Sequence, residues 1–199
     1  LMEVVPAGHV PPLDEVDSVI FTSANAVARA GRGHGKPAWC VGARTTEAAR
    51  QAGFDAVMTG ETADELVPYL TERRPAGRIV HLHGVHQRGD VVERLSQSGL
   101  SVEGAAVYDQ RAVPPDPQFF DALAARPLVV PLFSPRSGVL FAEAAESVLG
   151  PELPEGVDIV ALSEAVRQSL PEKWRQAAAL AARPDAEAIL DEIARRIFR

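Results

Sequence analysis

The chain has one cysteine, Cys40, in 199 residues, so it has no intramolecular disulfide framework. Cys40 lies in the apolar run "AWCVG", where a buried core thiol is expected rather than a nucleophile. Basic residues are in deficit: 20 Lys and Arg against 27 Asp and Glu give a net charge of −7. Binding a phosphate backbone needs a basic face, so nucleic acid is not an expected partner. No apolar run approaches the ~18–20 residues that cross a bilayer, and no basic-then-apolar leader opens the sequence. A cytoplasmic protein without membrane association is expected. G-x-x-x-x-G-K-[ST] and G-x-G-x-x-G are both absent, which argues against ATP and dinucleotides. There is also no G-x-S-x-G and no evident Ser-His-Asp order. "HLHGVH" supplies His81, His83 and His86, with His81 and His83 on one face of a strand. No Cys or carboxylate cluster joins them, so no metal site is expected.

What is present is ordinary for a soluble globular protein: 46% hydrophobic and 24% charged residues. Strand-like runs at 18–21, 38–41, 56–58, 78–82 and 105–108 alternate with helical spacing at 25–32, 45–52, 62–73 and 91–98. Glycine or proline closes most of the helices. This alternation predicts an α/β protein with a parallel sheet covered by helices on both faces. The order then repeats. "LVVPLF" reads as a strand and 137–148 as a helix; "VDIVAL" reads as a strand and 164–170 as a helix. "AALAARP" reads as a strand edge and turn, and 185–198 as a helix.

The two halves echo each other in sequence. "VIFTSANAV" lines up with "PLFSPRSGV", placing Thr22 on Ser134 and Asn25 on Ser137. "WCVGARTTEAARQAG" lines up with "IVALSEAVRQSL", and "TADELV" with "PDAEAI". Two similar domains are expected, a complete one over 14–103 and a second over 117–199. Extended arms over 1–13 and 104–116 connect them, each ending near a Pro-Pro pair (Pro11-Pro12, Pro114-Pro115). Two such arms predict a hinge and a cleft. The partner of the strand and helix in "RIVHLHGVHQRGDVVERL" would fall beyond residue 199. The second domain is therefore expected to lack a strand–helix unit or to take one from upstream of Leu1.

Four turns sit where strands end and helices begin: Thr22–Asn25, Gly42–Thr46, His83-Gly84 and Ser134–Ser137. Free N–H groups and the positive end of the helix dipole make such places anion sites. Ser, Thr and Asn also cap helices there with no ligand at all. Four turns mirrored in two domains favour one large polyanion held between them.

These runs, together with "VHLHGVHQRGDVVERLSQSGLSVEGAAVYDQRAVP", resemble the uroporphyrinogen-III synthase family over nearly the whole chain. The resemblance implies two α/β domains with parallel sheets, joined by a two-stranded antiparallel linker. It also implies that the family's opening strand and helix lie upstream of Leu1. The implied substrate is hydroxymethylbilane, a linear tetrapyrrole with eight carboxylates. The implied reaction closes it to uroporphyrinogen III, inverting the last pyrrole ring and losing water, with no metal or organic cofactor. Tyr108, in "AVYDQ", matches the family's tyrosine on the second arm and is the implied proton donor to the departing hydroxyl. The bland role for that residue is a buried interface tyrosine. Thr45 matches the threonine after "VG"; Thr22, Ser23 and Asn25 match the first turn, and Ser134 and Ser137 the mirrored one. Arg136 and Arg44 would add charge for carboxylates. Gly84 follows the strand of "VHLHG", with His83 where the family often carries arginine. The family's Gly-Pro-x-Thr turn is replaced by Ser163-Glu164-Ala165-Val166, which puts a negative charge where carboxylates would bind. A monomer is expected, since nothing in the sequence demands an oligomer. The competing readings are a non-catalytic two-domain binder of a polyanionic small molecule, and an interaction domain whose polar turns are only caps.

Overall fold

The computed structural model describes residues 1–86 and 89–198. Gln87 and Arg88, within the Gly-bearing turn read from the sequence, and Arg199 lie outside the described residues. The chain divides into a central unit, Val4–Arg111, and a terminal unit, Leu1–Glu3 with Ala112–Arg199.

β1 (Met2–Pro6), whose first two residues belong to the terminal unit, leads through a short 3-10 turn to β2 (Ser18–Phe21) and α1 (Ala24–Ala30) of the central unit. Then come β3 (Pro37–Val41), α2 (Ala43–Gln51), β4 (Asp55–Gly60), α3 (Ala63–Arg73), β5 (Arg78–Gly84), α4 (Val91–Gln97) and β6 (Ser101–Ala112). The sheet order is β1-β6-β5-β2-β3-β4, with β2 parallel to β3 and β5, β3 to β4, and β5 to β6. All four residues of β2 are buried, as expected for a central strand covered on both faces. Alternation along the strands sorts the core into two layers. Val19, Phe21, Cys40, Val80 and Leu82 pack with Ala26, Val27 and Ala49 of α1 and α2. Ile20, Trp39 and Ile79 pack with Leu66, Leu70 and Leu95 of α3 and α4. Each fully buried Leu or Ile adds about 1.5–3 kcal/mol of transfer free energy.

The first arm lies beside β6. Val113 N donates to Leu1 O and Ala7 N donates to Val107 O, so numbering rises on one strand as it falls on the other: the pair is antiparallel. β6 is longer than the 105–108 read from the sequence, because its pairing with β5 begins at Ser101.

The terminal unit contains α5 (Pro117–Ala124), β7 (Leu128–Leu132), α6 (Pro135–Leu149), β8 (Val157–Ala161) and α7 (Glu164–Arg167). It continues with α8 (Glu172–Ala177), β9 (Ala179–Leu180) and α9 (Ala186–Ile197). Its sheet is parallel, in the order β7-β8-β9. Trp174, fully buried, anchors one layer with Phe141, Ile159 and Leu170, and its indole N–H donates to Gly150 O at 3.2 Å. Ile189 and Ala188 of α9 pack with Val160 on another.

Some elements differ from the sequence reading. The helix expected over 164–170 stops at Arg167, and a second helix, α8, starts after Pro171, whose ring cannot continue the first. α5 is an addition to that reading. Asp116 caps it by accepting from Phe119 N, with Pro117 at its first position, where a missing N–H costs nothing.

Candidate active site

Parallel strands present their carboxyl ends on one side of a sheet, and the polar turns of the central unit begin there. Thr22, Ser23, Ala24, Asn25, Arg44 and Thr45 line one hollow of about 250 Å³. The structure thus brings together residues singled out in the sequence from two separate turns. Ser23 Oγ accepts from Asn25 N at 3.2 Å and caps the seven-residue α1, so its local role is fulfilled without a ligand. On the second turn Gly42 is the N-cap of α2 at φ 77°, a left-handed conformation that a side chain would strain. Gly42 has no side chain to cap α2, so the first-turn N–H groups of α2 are left for other acceptors. Thr46 Oγ1 donates to Gly42 O at 2.9 Å, while its neighbour Thr45, 7% exposed, lines the hollow. Arg44 is exposed beside it.

Beneath the first turn lies β5. His81, 2% exposed, places its Nε2 3.1 Å from Thr22 Oγ1. Its ring centroid is 5.0 Å from that of His83, which alternation puts on the same face. Burial pushes the His81 pKa down to about 3, and neighbouring His83 adds to the effect, so the imidazole is neutral at physiological pH. His83 Nδ1 lies 2.8 Å from Gly84 O; a carbonyl only accepts, so Nδ1 carries the proton and donates.

Gly84 meets Tyr108 through an irregularity in the sheet. His83 pairs with Ala106 but Gly84 with Tyr108, so one extra residue bulges from β6 at this point. Val85 N donates to Tyr108 O at 2.9 Å and secures the shifted register. The phenol ring then lies against Gly84: a Cβ there would stand 2.8 Å from ring carbons and 3.0 Å from the hydroxyl. A continuous series of contacts therefore runs Thr22–His81–His83–Gly84–Tyr108, and Tyr108 is 8% exposed.

Ser134, Arg136 and Ser137 belong to the terminal unit. Ser134 and Ser137 form a capping box on α6: Ser137 N donates to Ser134 Oγ at 3.1 Å and Ser134 N to Ser137 Oγ at 3.0 Å. Arg136 follows Pro135 and is half-buried. The echo between the halves shifts by one residue. Ser134 takes the N-cap position that Ser23, not Thr22, holds on α1, because β7 ends at Leu132 and β2 at Phe21.

Residues 1–191 match the family model for uroporphyrinogen-III synthase HemD. The chain belongs to that family. Its fold is similar to uroporphyrinogen-III synthetase from Helicobacter pylori 26695, with TM-score 0.72 and 16% identity over 98% of this chain and 90% of that one. It also resembles a mutant uroporphyrinogen III synthase from the extremely thermophilic bacterium Thermus thermophilus, with TM-score 0.53 and 18% identity over 99% of this chain and 87% of that one. No curated protein sequence matches.

In the turn Ser163–Val166, which departs from the Gly-Pro-x-Thr pattern, Glu164 is held locally. Arg167 Nη2 lies 2.7 Å from its carboxylate and Gln168 donates to the same group. The hydrogen bond from Gln168, with Arg167 and Arg175 nearby, keeps its pKa below the usual glutamate value. The extra negative charge is thus paired within its own turn. His81 is the residue that sequence reasoning passed over as a site component. Its alternation with His83 was visible, but its bond to Thr22, 59 positions away, was not. Among the described residues no cluster of His, Cys, Asp or Glu is arranged to hold a metal ion, and no helix is long and apolar enough to cross a membrane.

Proposed function

We propose that this protein converts hydroxymethylbilane to uroporphyrinogen III, inverting the last pyrrole ring and releasing water. Family membership supplies the reaction class. The observation that carries the reading to residues is the bulge that seats the Tyr108 phenol on Gly84, in contact series with the polar hollow of Thr22, Ser23, Asn25 and Thr45. An acidic protein must bind eight carboxylates without a broad basic surface. Hydroxyls and N–H groups at the helix starts of the central unit, with Arg44, supply donors for carboxylates.

In this reading the Tyr108 phenol gives its proton to the hydroxymethyl oxygen as the C–O bond breaks and water leaves. The bilane supplies the driving force, since the pyrrole nitrogen lone pair fills in behind the departing group to leave a conjugated azafulvene. The substituted carbon of the last ring attacks it to give a spiro intermediate. That intermediate rearranges, and the proton lost as the closed ring regains aromaticity restores the balance. The protein's contribution is chiefly to hold the chain folded with the right carbon facing the electrophile. The chemistry calls for no cofactor, and the reading places the activity in the cytoplasm on a monomer.

Isomer analysis is the test. The bilane generated in situ closes unaided to the type I ring, so type III porphyrin in excess after oxidation is the expected result. Type I alone, with uroporphyrin III still bound, would favour the non-catalytic binder.

A further inference from the structure

His81 is buried against Thr22 with only one ring nitrogen satisfied. Nε2 lies 3.1 Å from Thr22 Oγ1, while Nδ1 is buried and has no hydrogen-bond partner among the described residues. The neutral ring carries one proton, and two placements are available. On Nδ1 it would be a buried N–H with no acceptor, which is rare in native proteins and costly. On Nε2 it is shared with the threonine oxygen, and the bare nitrogen left behind is the smaller cost. The hydrogen bond of one ring nitrogen sets the state of the other. Nε2–H therefore donates, and Thr22 Oγ1 accepts.

That choice has a consequence for the hydroxyl. A threonine oxygen that accepts from behind keeps its own hydrogen free to turn elsewhere. Thr22 lines the hollow with Ser23, Asn25, Arg44 and Thr45. We propose that His81 is a positioning residue that holds Thr22 as a hydrogen-bond donor into the hollow, so that the hollow selects a carboxylate, which only accepts, over a ligand group that must donate. This rests on the reading above that substrate carboxylates enter the hollow.

The tautomer itself is read without any variant. Long-range ¹⁵N–¹H correlation on the whole protein should show His81 protonated on Nε2; protonation on Nδ1 overturns the inference. Binding of uroporphyrin III, an octacarboxylate, is then followed by fluorescence. Thr22→Val and His81→Leu should each weaken it about tenfold, the scale of one hydrogen bond to a charged group. His81→Gln, whose side-chain amide can donate from nearly the same place, should stay within about twofold of wild type on that same scale. Thr22→Val/His81→Leu should be no weaker than Thr22→Val alone, because His81 acts through Thr22. With hydroxymethylbilane the loss should fall on KM more than on kcat. Additive losses, or a Gln variant as poor as Leu, overturn the inference while wild-type activity leaves the synthase reading standing. Wild-type protein that neither binds uroporphyrin III nor forms type III product overturns the synthase reading and the carboxylate ligand with it. Should His81→Leu fail to fold, the tautomer and the Thr22→Val and His81→Gln titrations decide the matter.

Discussion

At the scale of single residues, Tyr108 and Gly84 form a pair that should behave as one device. Tyr108→Phe keeps the ring packing and removes only the hydroxyl proposed above as the proton donor. Its kcat should fall by about 10²-fold, the low end for general acid catalysis, with the thermal midpoint unchanged. Gly84→Ala should do something different. The new methyl would stand 2.8 Å from the phenol ring, so the ring must move. A loss of about 1–3 kcal/mol in denaturant titration is expected, along with reduced kcat despite an intact phenol. His81 carries a pH prediction. Its folded pKa, about 3, lies below the unfolded value of 6.5, so on acidification the unfolded chain takes up a proton that the folded chain refuses. The penalty is absent above pH ~6.5 and grows as pH falls from there toward about 3, by up to about 1.4 kcal/mol per pH unit. His81→Gln should flatten that part of the stability profile, measured by urea unfolding across the range. Of these residues, Thr22 was marked by its place in a polar turn at a strand end, and Tyr108 and Thr45 by their resemblance to family positions. The Gly84–Tyr108 pairing was not legible in the sequence, because a bulge is a mismatch between two strands and neither strand's sequence carries it alone.

At the scale of elements, the strand ends and helix starts have a structural job and, in the proposed function, a binding one. Ser134 and Ser137 show the structural one in full, each satisfying the other's backbone N–H at the start of α6. Ser134→Ala removes both the acceptor for Ser137 N and one hydroxyl contact. It should cost about 1 kcal/mol, seen as a fall of a few degrees in the melting midpoint. The central strands are legible almost to the residue from their apolar runs, β2 without error at 18–21. The short helices α5 and α8 are not, since each has only one to two turns and too few residues to establish a period. Asp116-Pro117 was the signal available for α5; a capping residue followed by proline marks a helix start.

For the whole molecule, two units with separate cores set the expected unfolding behaviour. The two tryptophans divide between them: Trp39 packs with Leu66 and Leu70 in the central unit, and Trp174 with Phe141 and Leu170 in the terminal one. Single-tryptophan variants, Trp39→Phe and Trp174→Phe, therefore report one unit each. Adding Leu70→Ala, a cavity worth about 2–5 kcal/mol, should lower the midpoint seen by Trp39 more than that seen by Trp174. Equal shifts would mean that the units unfold as one. The sequence by itself determined the α/β class, the order of strands and helices apart from α5 and α8, the echo between the halves and the polar turns, because apolar periodicity and turn chemistry are local properties. Only the tertiary structure decided that Thr22 and Thr45 share one hollow, that His81 stands behind Thr22, and that a bulge seats Tyr108 on Gly84. Those relations depend on the register and spacing of strands far apart in the chain, which are set when the layers pack.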